Sequence, residues 1–350
     1  MQLLMHCRVP LVDKDRSFSQ HLQIEPLTDT RMYQLHLRNV SLHKTKRWKT
    51  MEVKKPILQG VNVNLTAGRL TGIMGESGSG KTSLLNIITG FSSQRLVASG
   101  KIRMTSDAHG AARLGAVAFF HYSHKAMPFY DLTGMENILI GFIFSRRDED
   151  ASWTDVLEDL GSGNGRQSGM WMFLVNSMKL HHCLDKKMKN MSSGEQRRLA
   201  IVVGCLKPSE VVLLDEPLLG LDSAVALKTV KFLKMVASRL GKLVVLIVHQ
   251  PSQETYDALD YLIIMKCGKC MYCGPRVEAL DRISVASENS NSTEGERFLS
   301  NSADRLLEIV SRADTHTIKD GIHEFENNAS DPAPCGNLCT DSGTVSWHLS

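Results

Sequence analysis

Eight consecutive residues constrain this chain more than any others: Gly75-Glu76-Ser77-Gly78-Ser79-Gly80-Lys81-Thr82. They fit G-x-x-x-x-G-K-[ST], a pattern that builds a phosphate cradle only between a buried strand and a helix. Both flanks have that character. Leu70-Thr71-Gly72-Ile73-Met74 is an apolar run of strand length, and Ser83 to Thr89 is compatible with a helix closed by Gly90 as its C-cap. In that setting backbone N–H groups converge on one spot, and the positive end of the helix dipole faces it. Gly75, Ser77, Gly78, Ser79, Gly80, Lys81, Thr82 and Ser83 are therefore the candidate nucleotide-binding set. Lys81 is expected to reach the β- and γ-phosphates, and the Thr82 hydroxyl to ligate Mg²⁺.

Upstream, the alternation of Tyr33, Leu35 and Leu37 predicts a strand to Val40, and Ile57 to Leu65 predicts a second. The basic stretch Lys44 to Lys55 between them, containing Trp48, reads as a loop. Trp48 either stacks on a nucleotide base or covers apolar surface. Two further strand-like runs lie between Gly100 and Phe120. From Tyr130 to Asn190 the pattern turns helical. Thr133 and Glu136 make a capping box for one helix, and Met170 to Leu184 predicts another. The polar, glycine-rich stretch Arg146 to Gly169 between them reads as a surface excursion. Ser192 and Glu195 form a second capping box, before the apolar run Leu199 to Leu206. Later, Tyr261 to Met265 and Cys270 to Cys273 flank Cys267-Gly268-Lys269 as a hairpin.

Two further strand ends carry reactive groups. Val211-Val212-Leu213-Leu214-Asp215-Glu216 is a fully apolar strand that closes on two carboxylates, and Leu246-Ile247-Val248 leads into His249. In a doubly wound α/β sheet, ligands gather at the carboxyl ends of the parallel strands. Asp215 is placed to hold Mg²⁺, while Glu216, one residue on, is placed to face the γ-phosphate and polarise a water. Glu216, His249 and Lys81 are thus the candidate catalytic residues.

The remaining composition narrows the class. A formal net charge of +4, without a long Lys/Arg block, gives no specific argument for nucleic acid. No apolar run approaches the roughly 18–20 residues that cross a bilayer, and Met1 to Pro10 lacks the continuous apolar core of a signal peptide. Eight scattered cysteines fit a reducing compartment. Cys267, Cys270 and Cys273 do not read as a metal cluster: Val277 stands where a ferredoxin-type run needs its fourth cysteine, and strand alternation points Cys270 and Cys273 to opposite faces. Glycosylation sequons such as those at Asn190, Asn291 and Asn328 are expected to go unused.

The phosphate loop, Ser192-Ser193-Gly194-Glu195, Asp215-Glu216-Pro217, Leu221-Asp222 and His249, in that order, resemble the motif set of ATP-binding-cassette (ABC) ATPases. The likeness is greatest to the G subfamily, the White-type half-transporters with an N-terminal ATPase domain. Gly72-Ile73-Met74-Gly75, Leu132-Thr133 with Glu136-Asn137, His249-Gln250-Pro251-Ser252, Gly274-Pro275 and Asn301 to Val310 add to it. The resemblance covers roughly Tyr33 to Val310. It implies a P-loop NTPase core with a β-rich N-terminal subdomain and an inserted α-helical subdomain. The expected boundaries are a poorly ordered leader over 1–32, the ATPase domain over 33–285 with its helical part at about 121–200, and a polar tail over 286–350 with a short helix near 303–310. The implied cofactors are ATP and Mg²⁺. The implied partners are a second ABC cassette, identical or not, and the transmembrane domain of a half-transporter, placing the chain at the cytoplasmic side of a membrane through that partner. By the same resemblance Ser192, Ser193, Gly194 and Glu195 present a signature to the partner's ATP in trans, Asp222 crosses the dimer interface, and His249 contacts the γ-phosphate.

Three positions depart from the family pattern. Ser193 stands where the signature has its first glycine. No glutamine occurs between Arg95 and Arg166, so the metal-binding glutamine expected after Phe119-Phe120 is missing, with His121 or His124 nearest. Leu218-Leu219 follow Glu216-Pro217 where small hydroxyl residues are usual. A cassette that clamps ATP but turns it over weakly, regulating a partner, is therefore a second reading beside the transport ATPase, as is a fragment of a half-transporter.

Overall fold

The computed structural model describes residues 33–48, 51–89, 96–106, 110–112, 117–121, 130–143, 166–206, 209–288 and 301–312. The chain divides into two compact units, one formed by residues 30–123 and 209–350 and the other by 1–29 and 124–208.

The first unit holds two sheets. A four-stranded antiparallel sheet has the order β2-β1-β4-β5, with β1 at Tyr33–Trp48, β2 at Met51–Thr66, β4 at Leu96–Ser106 and β5 at Gly110–Ala112. Leu35, Leu37, Val63 and Leu65 point into the core, while His36 between them bonds Asn64 and Thr105 on the outer face. A second sheet has the order β10-β9-β3-β8-β7-β6. Its strands β3 (Leu70–Gly75), β6 (Val117–His121), β7 (Val211–Asp215), β8 (Leu243–Ile247) and β9 (Tyr261–Lys266) run parallel, and β10 (Lys269–Pro275) closes the edge antiparallel. Every residue of β3, β7 and β8 is buried. Strands covered on both faces need continuous apolar runs rather than alternation, which is why these read as blocks of Val, Leu and Ile. Each fully buried side chain of that size stabilises the fold by about 1.5–3 kcal/mol.

Helix α1 (Lys81–Ile88) follows β3 directly and sends Leu84, Leu85 and Ile88 into the same core as the antiparallel sheet. Its C-cap is Thr89, and Gly90 lies outside the described residues.

The other unit contains α2 (Gly134–Ile143), α3 (Arg166–Ser177) and α4 (Ser193–Leu206). The first capping box forms as expected: Thr133 N donates to Glu136 Oε2 at 2.7 Å and Glu136 N to Thr133 Oγ1 at 3.2 Å. Helices α2 and α4 approach closely at Gly141, where a Cβ would stand 3.0 Å from Val203 Cγ1. Back in the first unit come α5 (Ser223–Leu240), α6 (Gln253–Ala258), α7 (Arg276–Glu288) and α8 (Ser302–Arg312). Helix α8 is docked at both ends. Asn301 Nδ2 donates to Pro251 O at 2.6 Å, and Lys266 Nζ donates to Val310 O and Ser311 O, a cation at the negative end of the helix dipole.

Several expectations are corrected. The stretch Lys44 to Lys55 is no loop: β1 and β2 stay paired from Lys44↔Lys55 to Trp48↔Met51. Backbone pairing carries this end, and exposed Lys55 suits the edge strand β2, where charge discourages pairing with other chains. Helix α3 stops at Ser177, short of Leu184, and begins at Arg166, inside the expected excursion. Lys179 takes φ 52° there; Leu180 N donates to Val175 O and Lys179 N to Asn176 O. That double bond is a Schellman close, with Leu180 buried beneath it. Finally, Cys270 pairs with Met265 but Tyr272 with Ile264, so Met271 is an extra residue in a β-bulge. The bulge resets the alternation, and Cys270 and Cys273 both pack against the core.

Candidate nucleotide-binding site

The phosphate loop is shaped by what surrounds it. Gly75 has φ +145°, and a Cβ there would lie 2.2 Å from Met265 O. Gly80, the N-cap of α1, has φ +103°, and a Cβ would lie 2.8 Å from Leu58 Cδ2. Neither position admits a side chain. The loop is also buttressed from outside. Cys267 and Gly268 form the two-residue β9–β10 turn, both at positive φ, and Gly268 N donates to Ser79 O at 3.0 Å.

Within the loop, Lys81 is buried and its Nζ donates to Gly75 O at 2.8 Å and Glu76 O at 2.7 Å. Burial lowers its pKa, and the carboxylates of Glu216, Asp215 and Glu76 pull the other way. Ser79 is buried and its Oγ has no hydrogen-bond partner. A buried hydroxyl left in that condition is costly unless a ligand meets it. Ser77, Gly78 and Thr82 are exposed, and Ser83 is half-buried. Glycines that exclude Cβ atoms, a buried lysine and an orphaned hydroxyl fit a polyphosphate.

The order β3-β8-β7 brings three strand ends side by side. Asp215 is buried at the end of β7 and faces the charge of Lys81. Glu216 follows with φ 50°, a left-handed turn that swings its carboxylate out of the strand line. Val248 N donates to Ile73 O, extending the pairing beyond β8 up to His249. His249 Nε2 and Glu216 Oε1 are 2.7 Å apart, both partly exposed. On the next strand His121 is in register with Asp215; its side chain, with those of Trp48 and His124, lies outside the described residues. Leu219, past Glu216, is exposed at 61%.

Other expected site residues take local roles. Asp222 is the N-cap of α5 and accepts from Val225 N at 2.9 Å. In the second unit, Ser192 N donates to Glu195 Oε2 at 2.7 Å and Glu195 N to Ser192 Oγ at 3.3 Å, completing the capping box ahead of exposed Ser193. Glu195 also pairs with His182 at 2.7 Å. The Ser192 N–H bond, aided by His182 and opposed by burial, holds the Glu195 carboxyl down at about 2. Sequence reading missed Gly268, His182 and Gln196. Gln196 is buried and donates to Met188 O and Met191 O, pinning the approach to α4. A glutamine right after the capping-box glutamate, facing an apolar helix body, was the available signal for it.

Residues 58–219 match the family described as ABC transporter. ABC transporter G family member 22 of Arabidopsis thaliana is 28% identical over 259 residues, which is 71% of this chain and 32% of that protein. G family member 13 of the same plant is 33% identical over 227 residues, 63% of this chain and 31% of its own. ATP-binding cassette sub-family G member 5 of Homo sapiens is 29% identical over 235 residues, covering 65% and 33%. The chain thus spans about a third of the length of the curated relatives it matches. Among solved structures, the dimeric bacterial ABC transporter cassette MJ0796 superposes with a TM-score of 0.53 at 23% identity, over 69% of this chain and 98% of that one. Its likeness bears on the fold alone. Fold, motif order and relatives agree: the chain carries an ABC-transporter ATPase domain built on a P-loop NTPase core, and the relatives it resembles are members of the G family.

Proposed function

We propose that this chain binds and hydrolyses ATP as the cassette subunit of a G-type transporter, closing on ATP against a second cassette. The observation that carries the reading is the 2.7 Å contact of Glu216 with His249, on neighbouring strand ends beside the phosphate loop. Lys81 exchanges its bonds to the loop carbonyls for the β- and γ-phosphate oxygens, which removes the cost of its burial. Glu216 orients the attacking water and accepts its proton, and His249 holds that carboxylate in place while it contacts the γ-phosphate. Thr82 and Asp215 would hold Mg²⁺, since a hydroxyl and a carboxylate suit a hard cation. When bound it supplies neutralising charge to the phosphates. Ser192, Ser193 and Gly194 serve the partner's nucleotide in trans, with backbone N–H groups at a helix start as the anion site. Asp222 adds to the dimer contact, and closure drives a transmembrane partner, which keeps the chain at a membrane through protein contacts. No helix among the described residues is long and apolar enough to cross a membrane.

A weakened, regulatory cassette is the second reading, favoured by Ser193 in the signature and by His121 beside Asp215 where a glutamine is usual. Glu216→Gln decides the catalytic part. Nucleotide binding by titration should be retained while turnover falls by about 10²-fold or more. Hydrolysis at the parent rate would remove Glu216 from the mechanism.

A further inference from the structure

Outside the nucleotide site, three different metal-ligating side chains converge in the second unit. A 3-10 turn at His181–Cys183 places His182 on the surface and Cys183 in the interior, and both face Glu195 in the first turn of α4. His182 Nε2, Cys183 Sγ and a Glu195 carboxylate oxygen all lie within 4.8 Å of one another. We propose that His182, Cys183 and Glu195 form a binding site for Zn²⁺ or a similar borderline-soft divalent cation, with water as the fourth ligand.

The donor set decides the metal. One sulfur, one imidazole nitrogen and one carboxylate oxygen suit tetrahedral zinc, while a hard cation such as Mg²⁺ takes oxygen ligands. The site is therefore chemically separate from the one at Thr82 and Asp215. Zinc–ligand bonds of about 2.0–2.3 Å put neighbouring tetrahedral donors about 3.3–3.7 Å apart. The His182–Glu195 pair, at 2.7 Å, has to open by about 0.6–1 Å, and Cys183 Sγ, within 4.8 Å of both, has to close by at most about 1.5 Å.

The surroundings supply what a site needs. Glu195 keeps Oε2 on Ser192 N, which orients the carboxylate and leaves Oε1 toward His182. That is the supporting bond that ligating carboxylates commonly receive. Cys183 Sγ donates to Leu180 O at 3.1 Å, and that oxygen also accepts from Cys183 N. Coordination thus exchanges an S–H bond for an S–metal bond, the proton leaves to solvent, and Leu180 O stays satisfied. His182 is 59% exposed, giving the ion its way in. The consequence for turnover rests on the proposed function: metal bound at Glu195 would stiffen the start of α4, where Ser192 and Gly194 serve the partner.

Cobalt titration of the full chain tests binding without nucleotide. One equivalent of Co²⁺ should bring up a thiolate-to-metal charge-transfer band in the near ultraviolet, and Zn²⁺ should bleach it. Cys183→Ser should abolish the band, and the surface change His182→Ala should weaken binding by about tenfold or more. Replacing Cys267, Cys270 and Cys273 by Ser should leave the band intact. A band that survives Cys183→Ser, no band at stoichiometric cobalt, or equal affinity in His182→Ala would overturn the proposal. Far-ultraviolet circular dichroism of each variant identifies any that fails to fold, and His182→Ala, altering an exposed side chain, keeps the test decisive. Metal binding that holds while Glu216→Gln leaves turnover unchanged separates this site from the catalytic reading.

Discussion

Gly268→Ala tests how far the phosphate loop depends on the hairpin behind it. Gly268 has φ +77°, and a Cβ there would lie 2.3 Å from Ile57 O and 3.0 Å from Ile57 C. Two costs follow. An alanine in the left-handed region loses about 1–2 kcal/mol. The clash is backbone against side-chain root, and ordinary contact begins at 3.4 Å, so the strands must part by about 1 Å. That movement breaks or stretches Gln59 N to Gly268 O at 2.8 Å and Gly268 N to Ser79 O at 3.0 Å. Each is worth about 0.5–1.5 kcal/mol. The sum is about 2–5 kcal/mol. Gly68→Ala is the control, since its φ is +82° but nothing lies within 4 Å of the added Cβ, leaving the conformational cost of about 1–2 kcal/mol alone. Thermal unfolding reads the difference at about 2–4 °C per kcal/mol. Gly268→Ala should melt clearly below Gly68→Ala and bind nucleotide more weakly, because Ser79 loses its outer support. Equal melting of the two variants would refute the clash argument, and unchanged nucleotide affinity in Gly268→Ala would refute the buttress.

Asp222→Ala should cost about 1 kcal/mol through loss of the α5 cap while Asp222→Asn costs little; chemical denaturation of the monomeric chain checks this, and no loss in the alanine variant would deny the cap. Glu195 has its pKa held at about 2, below its ordinary 4.5, so the folded chain binds fewer protons there than the unfolded one. Its contribution is complete above pH 4.5 and is lost as the pH falls from there through about 2. Melting curves across that window should show the parent's advantage over Glu195→Gln shrinking, and a constant advantage would contradict it. Ser193→Gly and His121→Gln, combined, should raise ATP turnover if those departures weaken the cassette; an unchanged rate would remove the support for the regulatory reading.

What the sequence determined by itself is whatever is settled within a few residues. The strand, turn and helix around Gly75 to Thr82, the capping boxes at Thr133 and Ser192, and the turn at Cys267-Gly268 are local, because their hydrogen bonds close over three or four positions. The buried strands were legible too, since only a doubly covered sheet calls for unbroken apolar runs such as Val211 to Leu214. Tertiary structure alone decided the rest. Glu216 meets His249 across 33 positions because β7 and β8 are neighbours in the sheet, a pairing order that no local pattern encodes. Gly268 supports Ser79 because β9 lies beside β3. The basic end of the β1–β2 hairpin became strand through backbone pairing to which apolar periodicity is blind, and one bulge residue, Met271, turned Cys270 and Cys273 to the same side. Such features depend on register and strand order, and those are fixed by burying the whole core at once rather than by the preferences of the residues concerned.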